Sequence, residues 1–259
     1  MTVTSGPSRL SASIRERKSR DGVALVPYIT AGFPDRGAMI PTLRAIAPHA
    51  AAIEIGVPFS DPMADGVTIQ RSSRVALEQG VTLKWILDEL AIHNTGSSRL
   101  PPLVLMSYLN PLLSPGFARL AERCAAGGVA GIIIPDLPLE ESGHVRSTLN
   151  AAGVGLVQMV TPVTPPERAR RLAQATDGFL YAVTMTGVTG AKGLGVEVGD
   201  YLLGLKRLGD MPVCAGFGIR SRNNVQALAG LCDGVIVGSA LIEVIERGED
   251  PAAFLVGLL

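Results

Sequence analysis

Val129-Ala130-Gly131-Ile132-Ile133-Ile134, closed by Pro135-Asp136, is an apolar run without polar alternation. A strand with one wet face alternates apolar and polar residues. A continuous run suits a strand covered on both faces, as in a parallel sheet. Seven more such runs occupy residues 24–29, 51–55, 103–106, 154–160, 179–183, 211–215 and 234–237. Gly, Pro, Thr, Ser or Asp follows the runs, and helical segments fill the gaps. Leu83, Ile86, Leu87 and Leu90 make one helical face; Phe117, Leu120 and Ala121 make another; Leu202, Leu205 and Leu208 make a third. Strand–helix alternation repeated about eight times over about 250 residues predicts an α/β fold, a single (β/α)8 TIM barrel spanning 1–259. An open doubly wound sheet is the alternative. It usually carries a GxGxxG turn after its first strand, whereas the first run here leads into Thr30-Ala31-Gly32-Phe33-Pro34.

Composition bounds the function. The chain has 259 residues, 47% hydrophobic and 18% charged, with a formal net charge of zero. Such a chain can bury a large core and is not disordered. The absence of a basic excess argues against nucleic acid as a partner. No apolar run approaches the about 20 residues of a membrane span. Cys124, Cys214 and Cys232 are far apart and form no CxxC pair. They read as reduced, buried thiols, which points to the cytoplasm. Residues 5–20 are rich in Ser and Arg, as a transit peptide is, but lack a secretory apolar stretch. Leu10 and Ile14, four apart, predict an additional N-terminal amphipathic helix packed on the barrel.

In a barrel the chemistry sits where strands end and βα-loops begin. The second run contains Glu54, in Ala52-Ile53-Glu54-Ile55-Gly56. An ionised carboxylate is costly to bury, and desolvation raises its pKa toward the range useful for proton transfer. The following loop, Val57-Pro58-Phe59-Ser60-Asp61-Pro62-Met63-Ala64-Asp65-Gly66, carries two more acids in wetter surroundings. Asp61 reads as a turn opener before Pro62. Asp65 reads as the second member of an acid–base pair. Gly216-Phe217-Gly218 and Gly238-Ser239-Ala240 follow the seventh and eighth runs. Glycines and a helix N-terminus in those two loops suit a phosphate, at Gly218, Gly238 and Ser239. Gly187-Val188-Thr189-Gly190-Ala191-Lys192-Gly193 reads as a mobile lid. Lys18, Lys84, Lys192 and Lys206 all lie outside the runs, which disfavours a Schiff-base aldolase. His49, His93 and His144 do not cluster, so no metal site or His-based triad is expected. Acid–base chemistry by carboxylates on a phosphorylated substrate remains.

These stretches resemble the tryptophan synthase α subunit family from about Leu10 to about Ile245. The most specific segment runs from Glu54 to Gly66, with Thr68-Ile69-Gln70 beyond. Pro27-Tyr28-Ile29-Thr30-Ala31-Gly32, Tyr108-Leu109-Asn110-Pro111, Pro135-Asp136-Leu137-Pro138 and Gly187-Val188-Thr189-Gly190 support it, as do both late glycine clusters. The resemblance implies retro-aldol cleavage of indole-3-glycerol phosphate to indole and glyceraldehyde 3-phosphate, with no metal or cofactor in this chain. It implies that Glu54 is the acid–base at indole C3, that Asp65 holds the indole N–H, and that Tyr181 lies near Glu54. It further implies phosphate contacts at Gly190, a closing contact from Thr189 to Asp65, and an indole pocket walled by Tyr28, Ile69, Met106 and Phe217. The implied partner is a β subunit carrying pyridoxal phosphate, in an α2β2 heterotetramer, docked over the loop after Asp61 and the lid. Val67 stands where the family commonly has proline, which predicts a looser acid-bearing loop and altered coupling to the partner. A free-standing indole-3-glycerol phosphate lyase, with the same chemistry and no β subunit, is the alternative.

Overall fold

The computed structural model describes residues 5–94, 96, 100–183, 196–216 and 218–259. Eight parallel strands close into a barrel in chain order. They are β1 (Ala24–Thr30), β2 (Ile53–Gly56), β3 (Leu103–Met106), β4 (Val129–Ile133), β5 (Gly155–Val160), β6 (Leu180–Val183), β7 (Val213–Gly216) and β8 (Gly234–Val237). Among the described residues the helices are α1 (Gly6–Asp21), α2 (Met39–Ile46), α3 (Val67–Glu78), α4 (Leu83–His93), α5 (Leu109–Leu113) and α6 (Phe117–Ala126). After them come α7 (Gly143–Ala151), α8 (Pro166–Ala175), α9 (Val196–Lys206), α10 (Arg222–Leu228), α11 (Ser239–Glu246) and α12 (Pro251–Leu258).

The eight apolar runs are the eight strands, with boundaries shifted by up to two residues. Residues 51–52 and 211–212 precede β2 and β7: the continuous ladders begin at Ile53 and Val213, and before them only single bonds reach the neighbouring strands, from the Ala51 amide to the Leu25 carbonyl and from the Leu180 amide to the Pro212 carbonyl. The long gap between the second and third runs holds two helices, α3 and α4. Leu208 lies past the end of α9, in the turn that follows, although it still packs on the core.

Two apolar layers hold the barrel. Ala24 and Val26 of β1, Val104, Val157, Phe179, Cys214 and Ile236 meet inside it. Outward residues such as Leu25, Ile53, Ile55 and Leu105 pack under the helices. Helix α1 closes the inner layer from below. Leu10 and Ile14 are fully buried in that cluster, each worth about 1.5–3 kcal/mol of burial. The hydroxyls of Ser11 and Ser13 donate to the carbonyls of Gly178 and Ala51, just before β6 and β2, which fixes α1 across the N-terminal end of the barrel. The helix starts at Ser5, whose hydroxyl caps the Ser8 amide, and stops at Gly22, whose φ of 82° suits glycine. With that end plugged, the opposite mouth is left for a ligand.

All three cysteines are buried and free. No helix among the described residues is long and apolar enough to cross a membrane.

Candidate active site

Alternation along β2 decides where its carboxylate goes. Ile53 and Ile55 pack in the outer layer and Ala52 in the inner one, so Glu54 points into the barrel. It is 1% exposed. Among the described residues neither carboxylate oxygen has a hydrogen-bond partner. Burial, with a smaller push from the Asp65 charge, raises its pKa to about 8. At neutral pH this group is mostly protonated and can give up a proton.

Asp65 is half-buried at the end of the loop between β2 and α3. Burial raises its pKa as well, and a hydrogen bond from Tyr108 pulls it back down. Tyr108 is the brace of this loop. Its hydroxyl accepts the Ala64 amide at 2.9 Å, and its ring lies 5.1 Å from that of Phe59. Gln70, one turn into α3, donates to the Asp65 carbonyl at 2.8 Å. Asp61 is exposed and accepts the Ser60 hydroxyl.

A cavity of about 330 Å³ connects these groups. Glu54, Asp65 and Tyr181 line it, with Tyr28, Ile69 and Met106 as its apolar side. Gly218, Gly238 and Ser239 line it from the loops after β7 and β8. Tyr181 packs against Phe179 at 6.3 Å between ring centres, and burial holds its phenol pKa well above normal. Gly238 precedes α11, and no side chain caps that helix. Side chains cap α4, α10 and α12 (Thr82, Ser221 and Asp250), whereas α2, α3, α5, α6, α7 and α8 are, like α11, without a side-chain cap. The first amides of α11 therefore remain free for an anion beside the cavity. Thr189, Gly190 and Phe217, and with them the glycine-rich segment 187–193, lie outside the described residues. No group of three or more metal-ligating side chains occurs among the described residues.

Residues 14–255 match the family described as Tryptophan synthase alpha chain. A tryptophan synthase alpha chain from Nitratidesulfovibrio vulgaris (strain DP4) is 44% identical over 251 residues, covering 96% of each chain. One from Chloroflexus aggregans is 41% identical over 242 residues, covering 93% of this chain and 90% of that one. Among solved structures, Mycobacterium tuberculosis tryptophan synthase matches with a TM-score of 0.87 at 32% identity, covering 96% of both chains. The chain belongs to the tryptophan synthase alpha chain family.

Tryptophan synthase alpha chains are lyases of tryptophan biosynthesis that cleave indole-3-glycerol phosphate, and they bind no cofactor of their own. Against that activity, two features of this site escaped the sequence reading. Tyr108 was visible only as part of a family stretch, and its hold on Asp65 needs the β3 end folded beside the β2 loop. Arg220 also lines the cavity, and nothing in Gly218-Ile219-Arg220 distinguishes it from a surface arginine. Val67 is the first residue of α3 and is 78% exposed. At that position a proline costs the helix no hydrogen bond, because the first-turn amides have no intrahelical partner.

Proposed function

We propose that this chain cleaves indole-3-glycerol phosphate to indole and glyceraldehyde 3-phosphate with Glu54 as general acid–base and Asp65 as the base for the indole nitrogen. Protonated Glu54 gives its proton to indole C3 while Asp65 takes the N1 proton, which leaves the indolenine. The C3 carbon is now a leaving group. The bond from C3 to the glycerol chain breaks, its electron pair forms the C2–C3 double bond, and the imine nitrogen recovers the proton from Asp65. The ionised Glu54 takes the proton of the adjacent hydroxyl, whose carbon becomes the aldehyde. Both carboxyl groups end as they began. No lysine is needed, because the protonated indole is the electron sink.

Glu54 carries this reading: a buried carboxyl group without a protein partner, raised to about 8, in a cavity shared with Asp65. A buried acceptor left unpaired is costly unless a ligand meets it. Gly190, Gly218, Gly238 and Ser239 bind the phosphate. Tyr181 lies beside Glu54 and the reacting bond. Tyr28, Ile69, Met106 and Phe217 wall the indole, and Thr189 closes onto Asp65. The whole chain, 1–259, acts as one barrel domain in the cytoplasm.

The partner on this reading is a β subunit carrying pyridoxal phosphate, which joins the released indole to serine in an α2β2 assembly. A solved Pyrococcus furiosus relative, 36% identical with a TM-score of 0.84, is described as mutually activated within an α2β2 complex. Met63 and Val67, 80% and 78% exposed, put apolar side chains on the acid-bearing loop and its helix, which suits a contact there. Steady-state indole release by Glu54→Gln tests the catalytic assignment. A loss of about 10²- to 10⁴-fold is expected; an unchanged rate sinks it.

A further inference from the structure

The cavity presents a charge problem. Two carboxyl groups line it, and Asp65 acts in its ionised form, yet the substrate is itself an anion. Among the described lining residues there is one cation, Arg220, two residues beyond Gly218. Its guanidinium makes a two-point contact with the Glu243 carboxylate, at 2.7 and 2.8 Å. Glu243 lies on α11 one turn after Ser239, on the same helix face. The pair therefore holds the cation beside the free amides that open α11. Thr68, in the first turn of α3, donates to Glu243 at 3.4 Å and links the clamp to the helix that follows Asp65. Other arginines of this region are committed elsewhere: Arg71 to Glu246, Arg222 to the Leu259 carbonyl and Arg247 to Glu249.

A guanidinium has five N–H donors, and the Glu243 contact uses two of them. Three remain, and the Arg220 side chain is 58% exposed, so an incoming ligand can reach it. A phosphate dianion is a stronger partner for those donors than water.

We propose that Arg220 contacts the substrate phosphate directly, held in reach by Glu243, and so determines which end of the cavity accepts the anion. This rests on the phosphate end assigned under Proposed function. Glu243 and Thr68 are positioning residues: they aim the guanidinium and touch no substrate. Glu243→Gln keeps a carbonyl oxygen that still accepts from the guanidinium and so preserves its aim, while it removes the neutralising charge; it and the loss of Arg220 therefore have opposite effects on phosphate affinity. A purely structural ion pair gives both removals the same sign.

The test compares Arg220→Met, Arg220→Lys and Glu243→Gln as full chains. It measures kcat and KM with indole-3-glycerol phosphate and with unphosphorylated indole-3-glycerol, and titrates glycerol 3-phosphate calorimetrically. Arg220→Met is expected to raise KM for the phosphorylated substrate and Kd for glycerol 3-phosphate by about 10- to 100-fold, with kcat little changed. It is expected to leave the unphosphorylated substrate unaffected and to flatten the salt dependence of binding. Arg220→Lys falls between, and Glu243→Gln, with the cation no longer neutralised, binds glycerol 3-phosphate more tightly than the natural chain. The proposal is overturned if Arg220→Met stays within twofold on both constants, or if Glu243→Gln weakens binding as much as Arg220→Met does. Failure of the underlying reading looks different: the natural chain itself then neither binds glycerol 3-phosphate nor cleaves the phosphorylated substrate, and the proposal falls with it.

Discussion

Tyr28 lays its hydroxyl over the α-carbon of Gly56, where an added methyl group would stand 2.0 Å from the phenol oxygen. Tyr28 is also the cross-strand partner of Glu54 in the β1–β2 ladder. The glycine thus sets how far the ring reaches along the cavity wall, and the ring in turn bounds the space in front of the carboxylate. Gly56→Ala is expected to push the ring aside at a cost of about 1–3 kcal/mol in stability. Indole release should fall with it, by about tenfold in kcat/KM. Thermal unfolding and steady-state kinetics of the same sample check both; unchanged values on both would show that the ring has room to spare.

Tyr108 holds the other carboxylate. Its hydroxyl accepts the Ala64 amide and donates to Asp65, lowering the pKa that burial raises. Tyr108→Phe removes both contacts. Asp65 must then protonate at a higher pH, and on the proposed mechanism only its ionised form accepts the N1 proton. The acidic limb of the kcat/KM profile is therefore expected to move up in pH, with a loss of about 1–2 kcal/mol in stability. A profile superimposable on that of the natural chain would remove Tyr108 from the account.

Glu54 is expected to be a burden to the fold at alkaline pH. Its folded pKa, about 8, lies above the ordinary 4.5. Between those values the folded state keeps a proton that the unfolded chain has lost, so stability falls as pH rises through that window. Glu54→Gln carries no such term. Its melting temperature should exceed that of the natural chain most at pH 8 and above, and the gap should close toward pH 4.5. The natural enzyme should lose activity above about pH 8, as the acid form disappears. A stability gap independent of pH would mean that the carboxyl group is better solvated than its burial implies.

The sequence disclosed more of this molecule than its site. Eight apolar runs alternating with helical segments pointed to a parallel α/β fold, because a strand covered on both faces lacks polar alternation, and the missing GxGxxG turn favoured the closed barrel over an open sheet. Glu54 was legible for the same reason, as one charge inside such a run. Leu10 and Ile14 marked α1 by spacing alone, but not its place beneath the barrel, which depends on carbonyls near residues 51 and 178. Contacts between distant loops stayed hidden. Tyr108 reaches Asp65 across 43 positions, and Arg220 reaches Glu243 across 23; neither pair shares a local pattern. Strand starts at β2 and β7 were misread because Ala51, Ala52 and Met211-Pro212 are as apolar as the strands they precede.

Proton delivery to indole C3 by Glu54 is the central claim, and hydrogen exchange reads it directly. Indole and glyceraldehyde 3-phosphate are incubated with the chain in deuterium oxide, and deuterium at C3 of the recovered indole is followed by proton resonance. The natural chain is expected to exchange C3 above the solvent background, and Glu54→Gln, folded and at equal concentration, to show the background alone. Exchange by Glu54→Gln at the natural rate would contradict the account.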